Sequence, residues 1–144
     1  MSTPARKDML LIDTSFLYAL ADPADIHRAK AAAFARRDSR TRIIPEVALT
    51  EVMYLVGRFV NHMAMARFLF SIASSNAQIE SMRKTDLLRA QEIMIKYSDA
   101  RFDFVDCSIM ALAERLNIAC ICTFDRRDFG LFKPTHCEQF ELLP

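Results

Sequence analysis

No stretch of this chain approaches the roughly 18 consecutive apolar residues that cross a bilayer, and residues 1–8, MSTPARKD, are polar, without the apolar core of a secretion signal. A membrane protein and an exported one are thereby set aside, and a cytoplasmic location is expected. The cysteines Cys107, Cys120, Cys122 and Cys137 form no C-x-x-C pair, and three of them sit in apolar surroundings. Reduced core thiols are the expectation. Histidine is equally sparse in pattern: His27, His62 and His136 have no neighbour at ligand spacing, which argues against a zinc site and against histidine-based chemistry. A strong basic excess, the usual mark of a nucleic-acid binder, is also missing, since 19 Lys and Arg stand against 18 Asp and Glu. The sum conceals a distribution, however. If four carboxylates are committed to metal ions, 19 basic residues face 14 acidic ones (18 less those four), a mildly basic shell compatible with RNA.

What is present suits one α/β domain. At 144 residues, 52% apolar and 26% charged, the chain is long enough for one sizeable core but not two, so a polar arm over residues 1–8 and a single domain over 9–144 are expected. Met9–Ile12 and Ala119–Thr123 are short, continuous apolar runs, the pattern of strands covered on both faces. Ile43-Ile44, Gln78–Met82 and Gln139–Leu142 are weaker strand candidates. Helices are expected over Phe16–Leu20, Ile26–Arg37, from Pro45-Glu46 toward Val60, over Ala64–Ala73, over Thr85–Lys96 with its cap at Thr85, and over Asp103–Asn117. Strands alternating with helices imply a three-layer α/β/α fold around a mainly parallel sheet with right-handed crossovers. Residues 53–70 carry more Met, Phe, Leu and Val than one core-facing stripe requires, which leaves core packing and a partner interface both open.

The chemistry lies in the acids. Sites in open parallel sheets form outside the carboxyl ends of the strands, and Asp13 and Asp125 stand just beyond two such ends. Asp106 and Glu51, early in their helices, are placed to reach the same rim. Like charges at close range raise one another's pKa, so four carboxylates in one pocket call for a cation. Oxygen donors without Cys or His select Mg²⁺ or Mn²⁺, ions suited to phosphodiester hydrolysis.

Taken together, I-D-T-S-F-L at 12–17, T-E-V at 50–52, F-V-D-C-S-I-M-A-L-A-E-R-L at 104–116 and T-F-D-R-R-D-F at 123–129 resemble the PIN domain, especially the VapC-type toxin ribonucleases of bacterial toxin–antitoxin pairs. The resemblance spans about residues 9–130. It implies that Asp13, Glu51, Asp106 and Asp125 bind Mg²⁺ or Mn²⁺, that Thr123 and Thr14 support those acids with hydroxyls, and that the protein is a homodimer with a cognate antitoxin and an RNA substrate. Y-S-D at 97–99 also matches a recurring element, which brings Asp99 into consideration.

Blander roles compete for each residue. Asp13 before Thr-Ser suits a turn, Asp106 a helix cap, and Glu46 a favourable charge at a helix N-terminus. Glu51 sits among Leu49, Val52 and Leu55, where an unpaired charge is costly. Asp103 could be an extra metal ligand but is read as a cap, and Asp128 could join the pocket but is read as the start of a short helix before Gly130. Arg36, Arg37, Arg40 and Arg42 suit a solvated face, whereas Arg126 and Arg127 lie beside the acids. The expected activity is metal-dependent endoribonucleolysis, leaving a 5′-phosphate and a 3′-hydroxyl. The alternatives are a non-catalytic RNA- or protein-binding module of the same fold and a phospho-aspartate domain, the latter disfavoured because Thr-Ser-Phe rather than a second acid follows Asp13.

Overall fold

The computed structural model describes residues 3–144. Among them lie five strands, β1 (Arg6–Ile12), β2 (Thr41–Pro45), β3 (Gln78–Glu80), β4 (Ile118–Cys122) and β5 (Glu141–Leu143), and seven helices. The helices are α1 (Thr14–Ala21), α2 (Arg28–Arg37), α3 (Glu46–Phe59), α4 (His62–Ala73), α5 (Lys84–Lys96), α6 (Phe104–Leu116) and α7 (Arg126–Leu131). The strands form one sheet in the order β3-β2-β1-β4-β5, parallel at every pairing. The two apolar runs are its centre: Leu11 is paired with Ile43 on one side and Ile121 on the other. Leu10, Leu11, Ile118 and Ile121 have no exposed surface, as expected for strands covered on both faces.

Strand boundaries differ from expectation where tertiary pairing extends a polar segment. β1 begins at Arg6, inside the expected arm, because the Arg6 amide donates to the Asn117 carbonyl beside β4. Residues 1 and 2 of that arm lie outside the described residues. β3 and β5 are three residues each, paired at the edges of the sheet.

α1 packs on α2 and α3, and α3 on α4, while α5 and α6 pack on each other. The most buried helix is α6, enclosed from Asp106 to Ala113. Its start is set by Asp103, whose carboxylate accepts from the Asp106 amide at 2.8 Å, so Asp103 is the cap. Its end is set by Asn117 in the left-handed conformation (φ 56°). The cap of α5 is not Thr85. The helix starts one residue earlier, and Asp86 reaches back to accept from the Arg83 amide at 2.8 Å.

Asp86, 3% exposed, also receives Arg115 Nε at 2.9 Å, while Arg115 Nη2 bonds Glu80 at 3.0 Å. One guanidinium thus ties α6 to α5 and to edge strand β3. Arg115→Met leaves the buried Asp86 carboxylate uncompensated and is expected to cost about 3 kcal/mol in urea denaturation; a loss under about 0.5 kcal/mol would show that the tie is a solvated surface pair.

Candidate metal centre

The acids gather at the C-terminal edge of the two central strands because the chain leaves β1 and β4 there. Asp13 follows the last residue of β1, and its amide extends the ladder by donating to the Cys122 carbonyl at 2.9 Å. Its side chain does not cap α1. Instead it accepts from Thr123 Oγ1 at 2.7 Å and Ser15 Oγ at 3.0 Å. Thr123, wholly buried, is the hub: its hydroxyl oxygen also accepts from the Asp125 amide at 2.9 Å, while Ser15 Oγ accepts from the Phe124 amide at 2.9 Å. Two strand ends are thereby locked to each other through two hydroxyls. The expectation for Thr123 is met geometrically, but Ser15 rather than Thr14 is its companion. The Thr14 hydroxyl is buried without a partner among the described residues.

Asp106 and Asp128 arrive from helices. Each is the third residue of its helix, α6 and α7 respectively. One carboxylate oxygen from each of Asp106, Asp125 and Asp128 lies within 4.8 Å of the other two, close enough for a single cation to take all three. Asp128, favoured as the start of a short helix over a place in the pocket, is therefore part of the cluster. Its i+3 spacing from Asp125 is the sequence signal, and it becomes legible once residues 126–131 are known to be helical. Arg127 Nη1 pairs with Asp128 at 2.8 Å.

Electrostatics mark the same group. Burial pushes the Asp13 carboxyl up to about 6, opposed by the bonds from Thr123, the Thr14 amide and Ser15 and reinforced by the Asp125 charge. Burial, followed by the charges of Asp103, Asp13 and Asp125, pushes Asp106 up to about 9. Asp125 is raised by burial and by Asp128. Each shift comes first from burial and then from neighbouring carboxylates, both of which disfavour the ionised form. An all-carboxylate set of this kind fits a hard divalent cation.

The charges of Asp13, Asp106 and Asp125 act on one another, and Glu51 lies outside the trio of Asp106, Asp125 and Asp128. Glu51 lies on α3, half-buried rather than enclosed, without a hydrogen bond or ion pair among the described residues, and it is not among the charges acting most strongly on the other three. Its neighbours explain the difference: Val52 is buried, but Leu49 and Leu55 are only half-buried, so a charge there keeps much of its water. Asp99 is exposed in the turn after α5. Of the basic residues, Arg40 is bound by Asp38 and Arg42 by the carbonyls of Ala35 and Asp38. Arg126 bonds the Pro144 carbonyl.

A five-stranded parallel sheet with acids from two strand ends and two helix N-termini defines the class, and the chain belongs to the PIN domain family, whose model matches residues 10–132. Within that class it is similar to the ribonuclease VapC26 of Mycobacterium tuberculosis, at 27% identity over 135 residues, which cover 94% of this chain and 100% of the relative. The crystal structure of M. tuberculosis VapC20, described as a sarcin–ricin loop cleaving toxin, matches with TM-score 0.80 at 20% identity, over 89% of this chain and 98% of that one. VapBC2 from Rickettsia felis, crystallised on a DNA fragment from its promoter, matches with TM-score 0.68 at 14% identity, over 94% and 99%. At these identities the structural likenesses speak for the fold.

The raised acids carry a stability consequence of definite sign. A carboxyl at about 9 in the folded chain and near 3.8 when unfolded holds its proton more tightly when folded, so its contribution is fully present below pH 4 and is lost as pH rises toward 9. Asp106→Asn removes that dependence. In EDTA at pH 8 it is expected to raise the Tm by at least about 3 °C, the effect of ~1 kcal/mol in a domain of this size; an unchanged or lower Tm would contradict the crowding of charge.

Proposed function

We propose that this chain is a Mg²⁺- or Mn²⁺-dependent endoribonuclease, the toxin of a toxin–antitoxin pair. The observation that carries the reading is the convergence of the Asp106, Asp125 and Asp128 oxygens within 4.8 Å beside an Asp13 that burial raises to about 6. Membership of the PIN family and likeness to a VapC ribonuclease support it. In this reading Asp106 and Asp125, joined by Asp128, hold the cation, Asp13 completes the site from the sheet, and α3 supplies Glu51 as a further ligand from outside the trio. When bound, the cation supplies Lewis acidity and charge neutralisation at the scissile phosphate. The protein's own part is preorganisation. Thr123 and Ser15 fix the Asp13 carboxylate, and the caps of Asp103 and the short helix α7 fix Asp106 and Asp128, so little reorganisation accompanies attack on the phosphodiester. The products carry a 5′-phosphate and a 3′-hydroxyl.

Two partners belong to the same reading. One is a cognate antitoxin whose segment enters the acidic groove. The other is a second copy of the chain, for which the α3–α4 hairpin offers apolar surface: Tyr54 is 66% exposed, Phe59 63% and Phe70 73%. No described helix is long and apolar enough to cross a membrane.

The test is cleavage of a labelled total-RNA pool in Mg²⁺, in Mn²⁺ and in EDTA. Cleavage is expected with either ion and not with EDTA, and Asp13→Asn is expected to lower the rate by at least about 10²–10³-fold, the scale for one preorganised electrostatic group. Full activity of Asp13→Asn, or cutting that persists in EDTA, would overturn the site; no cutting under any condition would favour a binding module.

A further inference from the structure

A ladder of four rings runs outward from the core through Phe124, the residue between Thr123 and Asp125, to His27. Phe34 meets Phe16 edge-on at 6.0 Å, Phe16 lies parallel to Phe124 at 5.9 Å, and Phe124 lies parallel to His27 at 4.2 Å, with only 6° between the ring planes. Phe34 and Phe16 are buried, whereas Phe124 and His27 are half-buried, and the ladder ends at His27. Phe124 stands between two site residues in the chain. Thr123 binds Asp13, Asp125 belongs to the acidic trio, and the Phe124 amide donates to Ser15. The ring face that His27 extends is therefore rigidly registered to the acids.

The loop that presents His27 is pinned in turn. Asp25 accepts from the His27 amide at 2.8 Å, and Asp22 accepts from the Ala24 amide and the Tyr18 hydroxyl. The His27 ring itself makes no hydrogen bond among the described residues, so stacking alone sets its plane. Next to it Ile26 is 90% exposed, an apolar side chain with nothing over it, and Arg28 and Lys30 follow on α2.

We propose that His27 is the stacking surface for a base of the RNA substrate, an inference that rests on the nuclease reading and names a determinant of substrate binding within it. Unpaired bases are held on aromatic and histidine rings. A half-buried ring at the end of a fixed ladder, with an uncovered apolar neighbour before it and the cations Arg28 and Lys30 after it for the phosphates, supplies those contacts. His27 positions RNA and takes no part in the acid cluster. The competing role, a cover for Phe124, needs only an apolar side chain, and that difference makes the inference testable.

The probe is a fluorescein-labelled random-sequence single-stranded RNA, bound in Ca²⁺ and followed by anisotropy. His27→Ala is expected to weaken binding about 5- to 100-fold, the loss of one base–aromatic stack. His27→Phe should restore it. His27→Leu, which covers Phe124 without a π-face, should not. The slope of affinity against salt should stay as in the unaltered protein, because phosphate contacts are untouched. Wild-type-like binding by His27→Ala or His27→Leu, failure of His27→Phe to restore it, or no binding by the unaltered protein would overturn the proposal. Binding that follows the expected order without metal-dependent cleavage of total RNA would instead overturn the nuclease reading and leave the stacking surface standing.

Discussion

Holding Asp13, Asp106 and Asp125 together at the sheet edge works against folding, because each of these carboxylates loses water and gains like-charged neighbours. The rest of the domain is arranged to withstand that cost. Two central strands buried on both faces bring Asp13 and Asp125 to one edge. Helix α6, enclosed along most of its length, delivers Asp106 at its N-terminal turn, where the helix dipole favours negative charge. Apolar burial thus supplies the stability that the acids consume.

The hydroxyl hub explains how the pocket keeps its shape. Thr123 and Ser15 together touch Asp13, the Asp125 amide and the Phe124 amide, so the loop after β4 cannot drift from the loop after β1 without breaking several bonds at once. These bonds also favour the ionised form of Asp13, opposing its burial. The same loop carries Phe124, so acid geometry and the aromatic edge of the pocket are set by one short segment.

The parts of this arrangement that were legible in the sequence are those with a strong local signal. Met9–Ile12 and Ala119–Thr123 could be read as buried strands from continuous apolarity, and Asp13 and Asp125 followed as residues at strand ends. The alternation of strands and helices gave the parallel sheet. Asp106 needed the family resemblance, because a first-turn aspartate is equally a cap, a role the structure gives to Asp103. Asp128 has an equal reading as a helix-opening acid, and only the fold, which returns α7 beside Asp106, places it in the cluster. Thr14 and Ser15 are adjacent hydroxyls that no pattern separates; only the path of the chain into α1 turns Ser15 toward Asp13. Edge strands β3 and β5 were blurred because three residues show no period and their pairing is entirely tertiary. Glu51 had a signal in its apolar neighbours, but burial depends on packing that sequence does not specify.

The central claim is that the carboxylates form one cation site whose occupation relieves their repulsion. The most direct measurement is the Tm as a function of Mn²⁺ concentration for the unaltered protein and for Asp106→Asn/Asp125→Asn. A ligand that binds only the folded state stabilises it by RT ln(1 + [L]/Kd), about 2.7 kcal/mol at a hundredfold excess over Kd. The account predicts a Tm that climbs with Mn²⁺ in the unaltered protein and stays flat in the double variant. A flat response in the unaltered protein, or the same climb in both, would contradict it.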